Sequence, residues 1–164
     1  MDDRFELDGF LPYRLNRAAE AVSLSFSRVY QERYSMTRPE WRTLVALGAI
    51  GPMTATAIGA HSAMHKTKVS RAIGALEARR WIKRTEDARD RRLEHIELTP
   101  AGRQAYDDLA AHARAYQAEL ARSLGANSLK ALIDGLTALE SSIPGSNRRT
   151  QARRHPAAAA DRPA

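Results

Sequence analysis

The chain has 164 residues, 43% of them hydrophobic and 27% charged, which suits one compact domain, or one domain plus an appendage. It has no cysteine, which excludes disulfides, thiolate nucleophiles and cysteine-ligated zinc, and we expect no cofactor and no metal. No apolar run approaches the roughly 20 residues of a membrane span, and the acidic start is unlike a signal peptide, so we expect a cytoplasmic protein.

The net charge of +7 is unevenly distributed along the chain. Residues 65–103 hold eleven Lys and Arg against six Asp and Glu, and residues 144–164 hold five against one. A basic block inside a folded domain is typical of nucleic-acid binders, although a solvated basic face or a contact with anionic lipid would have the same charge. The segment 144–164 is rich in Arg, Ala and Pro, which predicts a disordered basic tail.

Two helices are predicted in the first third of the chain. Residues 10–34 carry a long apolar stripe at helical spacing, which could pack on its own domain or on a second subunit. Thr37 or Arg38 begins a second helix with Pro39 in its first turn, and we expect Gly48 and Gly51 to end it.

The centre of the chain predicts a helix-turn-helix. Thr54 or Thr56 caps a short helix to about Ala60, residues 61–64 form a turn, and residues 66–79 form a second helix. The apolar positions of this second helix, spaced i, i+3, i+4 and i+7, are Val69, Ala72, Ile73 and Leu76. Its opposite face combines cations, hydroxyls and small side chains, namely Lys66, Thr67, Lys68, Ser70, Arg71 and Gly74.

A β-hairpin with a basic tip follows. Residues 81–85 are β-prone, residues 94–98 alternate polar and apolar, and a charged loop separates them. Arg89, Arg91 and Arg92 are suited to reach phosphates or the narrow minor groove, and we expect Asp87 and Asp90 to hold them in place. The alternative interpretation is a solvated turn with local ion pairs.

Two more helices complete the chain. Thr99 caps the first, with Pro100 in its first position and Gly125 at its end, and Asn127 or Ser128 begins the second. The order helix, turn, helix, strand, charged loop, strand describes a winged helix-turn-helix, whose second helix lies in the major groove of DNA. We therefore predict a mainly α-helical fold with a small β-hairpin wing.

The sequence resembles the multiple-antibiotic-resistance-regulator (MarR) family of bacterial repressors over roughly residues 8–143. The resemblance rests on the start of the second helix at 39–44, the basic helix at 66–71, the loop at 87–92, which is close to Asp-x-Arg-Asp-x-Arg, and Leu-Thr-x-x-Gly at 98–102. It implies one domain over residues 1–143, an obligate homodimer joined through helices in 8–34 and 99–143, and a DNA-binding lobe at 37–98. The partner is then double-stranded DNA with a pseudopalindromic operator.

The resemblance also implies which residues meet DNA. The expected DNA contacts are His65, Lys66, Thr67, Lys68, Ser70, Arg71, Arg89, Asp90, Arg91 and Arg92. His65 stands where relatives often have a capping Asp or Ser, so we expect a poor helix cap whose ring could contact a phosphate.

Members of the family often release DNA when a small, frequently aromatic and anionic, ligand binds. Candidate ligand-binding residues are Tyr13, Arg17, Trp41 and His61, and the candidate effector is a phenolic acid or its coenzyme A thioester. The structural alternatives are a core position for Trp41 and an ion pair between Arg17 and Glu20 or a partner subunit. The second functional hypothesis is a constitutive architectural or nucleoid-associated DNA binder, and no catalytic motif suggests an enzyme.

Overall fold

The computed structural model describes residues 5–87, 90 and 93–143, and in these residues it contains six α-helices and one β-hairpin. The elements follow a 3₁₀ turn at Leu7–Gly9 and are, in chain order, α1 (Leu11–Tyr34), α2 (Arg38–Ile50), α3 (Ala55–Ser62), α4 (Lys66–Ala78), β1 (Ile82–Glu86), β2 (Glu94–Leu98), α5 (Pro100–Leu124) and α6 (Ala126–Ser142). The predicted winged helix-turn-helix order is confirmed.

Three helices begin at a threonine whose hydroxyl caps the first turn. Thr37 accepts from the backbone N–H of Glu40 at 3.5 Å, Thr54 from Ala57 at 3.2 Å, and Thr99 from Gly102 at 3.1 Å. Each bond satisfies an amide that has no partner inside the helix. Of the two predicted caps for α3, Thr54 is therefore the one used.

Three predicted boundaries are wrong. Gly48 lies inside α2, which ends at Ile50, and a β-carbon at Gly48 would be 2.2 Å from the Tyr106 ring, so this glycine allows close packing. Residues 61 and 62 belong to α3, which ends when Ala63 adopts a left-handed conformation with φ 49°. The helix α6 begins at Ala126 directly after Gly125, before the predicted starts at 127 and 128.

The core lies where α4 packs against α2, α3 and the hairpin. The four apolar positions predicted for α4 are all buried, together with Leu44, Leu47, Ile58, Ile96 and Leu109 from the surrounding elements. Because the apolar stripe of α4 is used in this way, its other face is left for solvent.

The hairpin is antiparallel and pairs Ile82 with Leu98 at its base and Glu86 with Glu94 at its outer end. Met53 adds a short bridge to Ile96, which ties the hairpin to the link between α2 and α3. At the base, the Trp81 carbonyl accepts from the Thr99 amide at 2.9 Å, and a β-carbon at Gly102 would be 1.9 Å from that carbonyl oxygen. The glycine of the Leu-Thr-x-x-Gly step is therefore required by a close approach of two backbones.

Both ends of the described chain present apolar side chains to solvent. No residue of α6 is buried, and Leu132, Ile133 and Leu136 are 46%, 51% and 40% exposed. Leu11 and Val22 of α1 are also exposed. In residues 5–143, apart from the four loop positions that are not described, no helix has the length and apolarity needed to cross a membrane.

Candidate nucleic-acid interface and adjoining cavity

The outward face of α4 is a continuous polar and cationic surface. Its residues, all exposed, are Lys66, Thr67, Lys68, Ser70, Arg71 and Gly74. An open groove of about 750 Å³ runs between α3 and α4, with Lys66 and Ser70 along it and Arg84 of β1 at its edge. The structure therefore brings the predicted donors of this helix together on one accessible face, and their contacts with DNA stay a prediction.

His65 is the N-cap residue of α4. Its ring Nδ1 accepts from the Thr67 amide at 3.5 Å, the outer limit of a hydrogen bond, so the cap exists but is weak, in line with the expectation for a histidine. A neutral ring that accepts at Nδ1 carries its proton on Nε2. The exposed His65 side chain thus keeps one donor for a partner such as a phosphate.

The hairpin loop is described only in part. The predicted DNA contacts Arg89, Arg91 and Arg92 lie outside the described residues. Asp90 is exposed, and its backbone N–H donates to the Asp87 carboxylate at 3.0 Å, while the other oxygen of Asp87 lies 2.9 Å from Nε2 of His95. Asp87 therefore organises the described part of the loop, and the idea that Asp87 and Asp90 hold the arginines stays a prediction.

The guanidinium of Arg84, which was not among the predicted site residues, joins α4 to the hairpin. Arg84 donates to both carboxylate oxygens of Glu77 at 2.6 and 3.2 Å, and to Glu94 at 2.8 Å. The hydrogen bonds with Glu77, followed by those with Glu94, raise the pKa of Arg84 above its usual value. Glu77 and Arg84 are seven residues apart on different elements, so periodicity alone does not reveal this contact.

A second cavity, of about 550 Å³, lies between α1, α2 and α5. Its aromatic wall consists of Phe26, Tyr30, Trp41 and Tyr116, with the Tyr30 and Trp41 rings stacked 5.8 Å apart. The cavity is open enough to admit a small planar molecule, and its size is within the range of known ligand pockets.

An ion pair stands among the residues that line this cavity. Arg38 of α2 donates both terminal nitrogens to Glu20 of α1, at 2.7 and 2.8 Å. The hydrogen bond from Arg38 lowers the pKa of Glu20, and Glu20 in turn raises the pKa of Arg38. This bidentate geometry is the one that guanidinium groups use to recognise carboxylates.

The four predicted ligand-binding residues are not all brought together. Trp41 lines the cavity, whereas Tyr13, Arg17 and His61 are not among its lining residues. Arg17 lies over the Tyr13 ring at 5.6 Å and pairs with Asp8 at 3.3 Å, so the alternative of an Arg17–Glu20 pair is wrong because Glu20 is bound to Arg38. The cavity residues that sequence reasoning missed come from α1, α2 and α5, and α5 is distant in sequence from the other two helices.

The end of α1 is fixed to both α5 and α4. Asp108 accepts two hydrogen bonds from Arg33, at 2.8 and 2.9 Å, and one from the Tyr34 hydroxyl at 2.9 Å, and the Arg33 bonds hold the pKa of Asp108 below its usual value. Arg79, which ends α4, donates to the backbone carbonyl of Tyr34 at 2.7 Å. The end of α1, a helix that lines the cavity, is thus hydrogen-bonded to both α5 and α4.

Comparison with known proteins identifies relatives of similar sequence and fold. The sequence model of the MarR family matches residues 34–93, which run from the end of α1 to the start of β2. A MarR-family transcriptional regulator from Silicibacter pomeroyi is 25% identical with a TM-score of 0.71, over 85% of this chain and 94% of that one. Over residues 34–93 the chain is therefore similar to the MarR family.

Two further solved structures are similar to this chain in fold. One is BpsR of Bordetella bronchiseptica, described as regulated in DNA binding by 6-hydroxynicotinic acid, at 20% identity and TM-score 0.74 over 85% of this chain and 99% of that one. The other is NadR in complex with 4-hydroxyphenylacetate, at 18% identity and TM-score 0.69 over 87% and 98%. No protein of curated function matches the sequence.

The Silicibacter pomeroyi relative is described as a MarR-family transcriptional regulator, and the family model that this chain matches is that of the same family. The family match covers α2, α3, α4 and β1. The cavity is also lined by residues of α1 and α5, and most of these two helices lies outside the residues that match the family model. In this region the similarity to the relatives is therefore one of fold. Among the residues that the structure describes, no group of three His, Asp or Glu could hold a metal ion.

Proposed function

We propose that this chain is a MarR-family transcriptional regulator that binds a specific double-stranded DNA operator as a homodimer and represses transcription until a small aromatic carboxylate releases it. The observation that carries the proposal is the exposed cationic face of α4 on a helix whose other face is fully used by the core. Lys and Arg at such a face can donate to guanine O6 and N7, and Ser and Thr reach bases or phosphates. A DNA partner also favours a cytoplasmic location.

The exposed apolar stripes of α1 and α6 support the homodimer. Leu132, Ile133 and Leu136 form an apolar surface on a helix with no buried residue, and a surface of this kind usually marks an interface. We propose that residues 8–34 and 99–143 form the dimer and residues 37–98 the DNA-binding lobe, with the basic tail 144–164 outside the domain. Two-fold symmetry then gives half-sites about 34–36 Å apart on the operator.

The cavity beside Trp41 supports an aromatic carboxylate as the effector. Its rings can stack on a planar ligand, and Arg38 can exchange the carboxylate of Glu20 for that of the ligand. Relatives of this fold, BpsR and NadR, are described with 6-hydroxynicotinic acid and 4-hydroxyphenylacetate, which both combine an aromatic ring, a hydroxyl and a carboxylate. A coenzyme A thioester is the second form of effector to compare.

The test begins with selection of binding sites by the full chain from random duplex DNA. We expect a pseudopalindromic operator, bound at least 1,000-fold more tightly than unrelated duplex at one fixed salt concentration. Uniform binding to any duplex would instead identify an architectural DNA-binding protein. A reporter gene placed behind the operator should be silenced by the protein, and unchanged or increased expression would contradict repression.

The effector is tested on the same operator. Hydroxylated aromatic acids and their coenzyme A thioesters are added to the complex, and we expect release by at least one of the acids. The Arg38→Gln variant should bind the operator like wild type but lose its response to that acid. If no aromatic acid releases DNA, or if Arg38→Gln responds like wild type, the assignment of the cavity as a carboxylate site is wrong.

A further inference from the structure

Arg84 lies where three elements meet. Its guanidinium contacts both carboxylate oxygens of Glu77 on α4 and one oxygen of Glu94 on β2, and Arg84 itself belongs to β1. We call these three side chains the Arg84 bridge. One planar group with three hydrogen bonds therefore joins the proposed recognition helix to both strands of the hairpin.

The Arg84 bridge lies beyond the base of the hairpin, where the covalent link between α4 and β1 no longer restricts the orientation of the strands. Residues 79–81 link α4 to β1, and the Thr99 hydroxyl and amide hold the carbonyls of Arg80 and Trp81 there. Arg84 lies further along β1, towards the charged loop. A rotation about the base would displace the loop most, and a bidentate Arg–carboxylate pair opposes rotation because it fixes the relative orientation of both planar groups.

Building on the proposed DNA-binding function, we propose that Arg84 is a positioning residue that fixes the hairpin against α4, so that helix and loop engage DNA together. The three nitrogens of Arg84 already have carboxylate partners, and those partners belong to the two elements whose relative angle decides where the loop points. Arg84 contributes to operator recognition through the loop rather than as a cation that contacts phosphate.

One substitution distinguishes these two roles, because they predict opposite changes in DNA affinity. Glu77→Gln removes a negative charge beside the proposed DNA surface and leaves Arg84 with Glu94 as its carboxylate partner, so general electrostatics predicts tighter DNA binding. A positioning role predicts the opposite, because the hairpin loses the bidentate contact between Arg84 and α4 and is then held by its base and by the Met53–Ile96 bridge. We expect Glu77→Gln to weaken operator binding while leaving the affinity for unrelated duplex equal to wild type or higher.

Arg84→Gln is the direct test, with Lys83→Gln as its matched control. Lys83 is the neighbouring cation on β1 and pairs with Glu97 of β2 at 2.9 Å. Each substitution therefore removes one charge and one ion pair between the two strands, and Arg84→Gln alone also removes the ion pair with Glu77 of α4. If the freed hairpin spends about a tenth of its time aligned, operator affinity falls about tenfold in Arg84→Gln. For Lys83→Gln, we expect the fold-loss in operator affinity to equal the fold-loss in affinity for unrelated duplex.

A double-mutant cycle shows whether Arg84 acts through the loop. In a background of Arg91→Ala, a loop substitution at a predicted DNA contact, Arg84→Gln should cost much less operator affinity than it does alone. Fully additive losses would mean that Arg84 acts independently of the loop and would overturn the proposal.

A measurement without DNA tests the attachment itself. The chain has no cysteine, so nitroxide labels at Lys68→Cys and Leu93→Cys report the distance between α4 and the hairpin, in protein diluted with unlabelled chain. We expect a broader distance distribution in Arg84→Gln and Glu77→Gln than in wild type and Lys83→Gln. An unchanged distribution, or wild-type or tighter operator binding by Glu77→Gln, overturns the proposal. Failure of wild type to select an operator would appear before any variant is compared and would overturn the proposed function instead.

Discussion

Replacing Gly102 by alanine is expected to destabilise the fold by about 2 kcal/mol. The new β-carbon would lie 1.9 Å from the Trp81 carbonyl oxygen and 2.8 Å from its carbon, far inside contact distance. Both atoms are backbone, and hydrogen bonds from Trp81 to Leu76 and from Thr99 to Trp81 hold that backbone in place. Overpacking destabilises a protein by about 1–3 kcal/mol, and we use the upper end because no side chain can move aside. The higher helix propensity of alanine offsets about 1 kcal/mol of this cost, which leaves the expected net loss of stability.

Thermal unfolding followed by circular dichroism, at one fixed protein concentration, measures this effect. For a chain of this size, about 2 kcal/mol corresponds to a decrease in Tm of about 4–8 °C. The fixed concentration matters because the Tm of a protein that dimerises, as we propose for this chain, depends on the amount of protein.

Gly74→Ala is the matched control for this prediction. The same substitution is made inside a helix, but nothing lies within 4 Å of the new β-carbon, so only the gain of about 1 kcal/mol in helix propensity remains. We expect Gly74→Ala to raise Tm slightly. A Tm of Gly102→Ala equal to that of wild type or of Gly74→Ala would refute the argument from backbone contact.

Three further predictions concern DNA, assembly and pH. Arg71→Ala should weaken operator binding by about 1–3 kcal/mol in a fluorescence titration, and near-wild-type affinity would contradict the docking of α4. Leu136→Glu, on the exposed face of α6, should convert a dimer into a monomer in light scattering, and an unchanged mass would reject that face as the interface. Asp108 has a lowered pKa in the folded state, so its stabilising effect is present above the ordinary aspartate pKa of about 4 and is lost as pH falls through the lowered value. The difference in stability between wild type and Asp108→Asn should therefore shrink in acid, and a difference independent of pH would exclude the carboxylate as its source.

Local signals in the sequence were sufficient for most of the fold. The spacing of Val69, Ala72, Ile73 and Leu76 fixes one face of α4, and all four are buried. Thr99 and Gly125 bound α5 as expected because capping depends on residues next to one another in the chain.

The errors arose where tertiary contacts decide. Gly48 is a packing position inside α2 rather than a helix end, because the Tyr106 ring occupies the space that a side chain would need. Ala63 ends α3 in a left-handed conformation that its residue type does not suggest. The same limit applies to the candidate sites. The pairs Arg38–Glu20 and Arg33–Asp108 are 18 and 75 residues apart, and a single sequence does not show which distant charges meet.

The bidentate pair between Arg38 and Glu20 has a consequence for sensitivity. In the effector site that we propose, an acid that takes the place of Glu20 on Arg38 displaces a carboxylate tethered to the same protein, which competes at a high effective concentration that dilution cannot lower. Weakly bound metabolites would then be rejected at ordinary cellular levels, and a response would set in only when a well-fitting acid accumulates. The threshold of such a sensor is adjustable at position 20 alone, without reshaping the aromatic wall that selects the ligand.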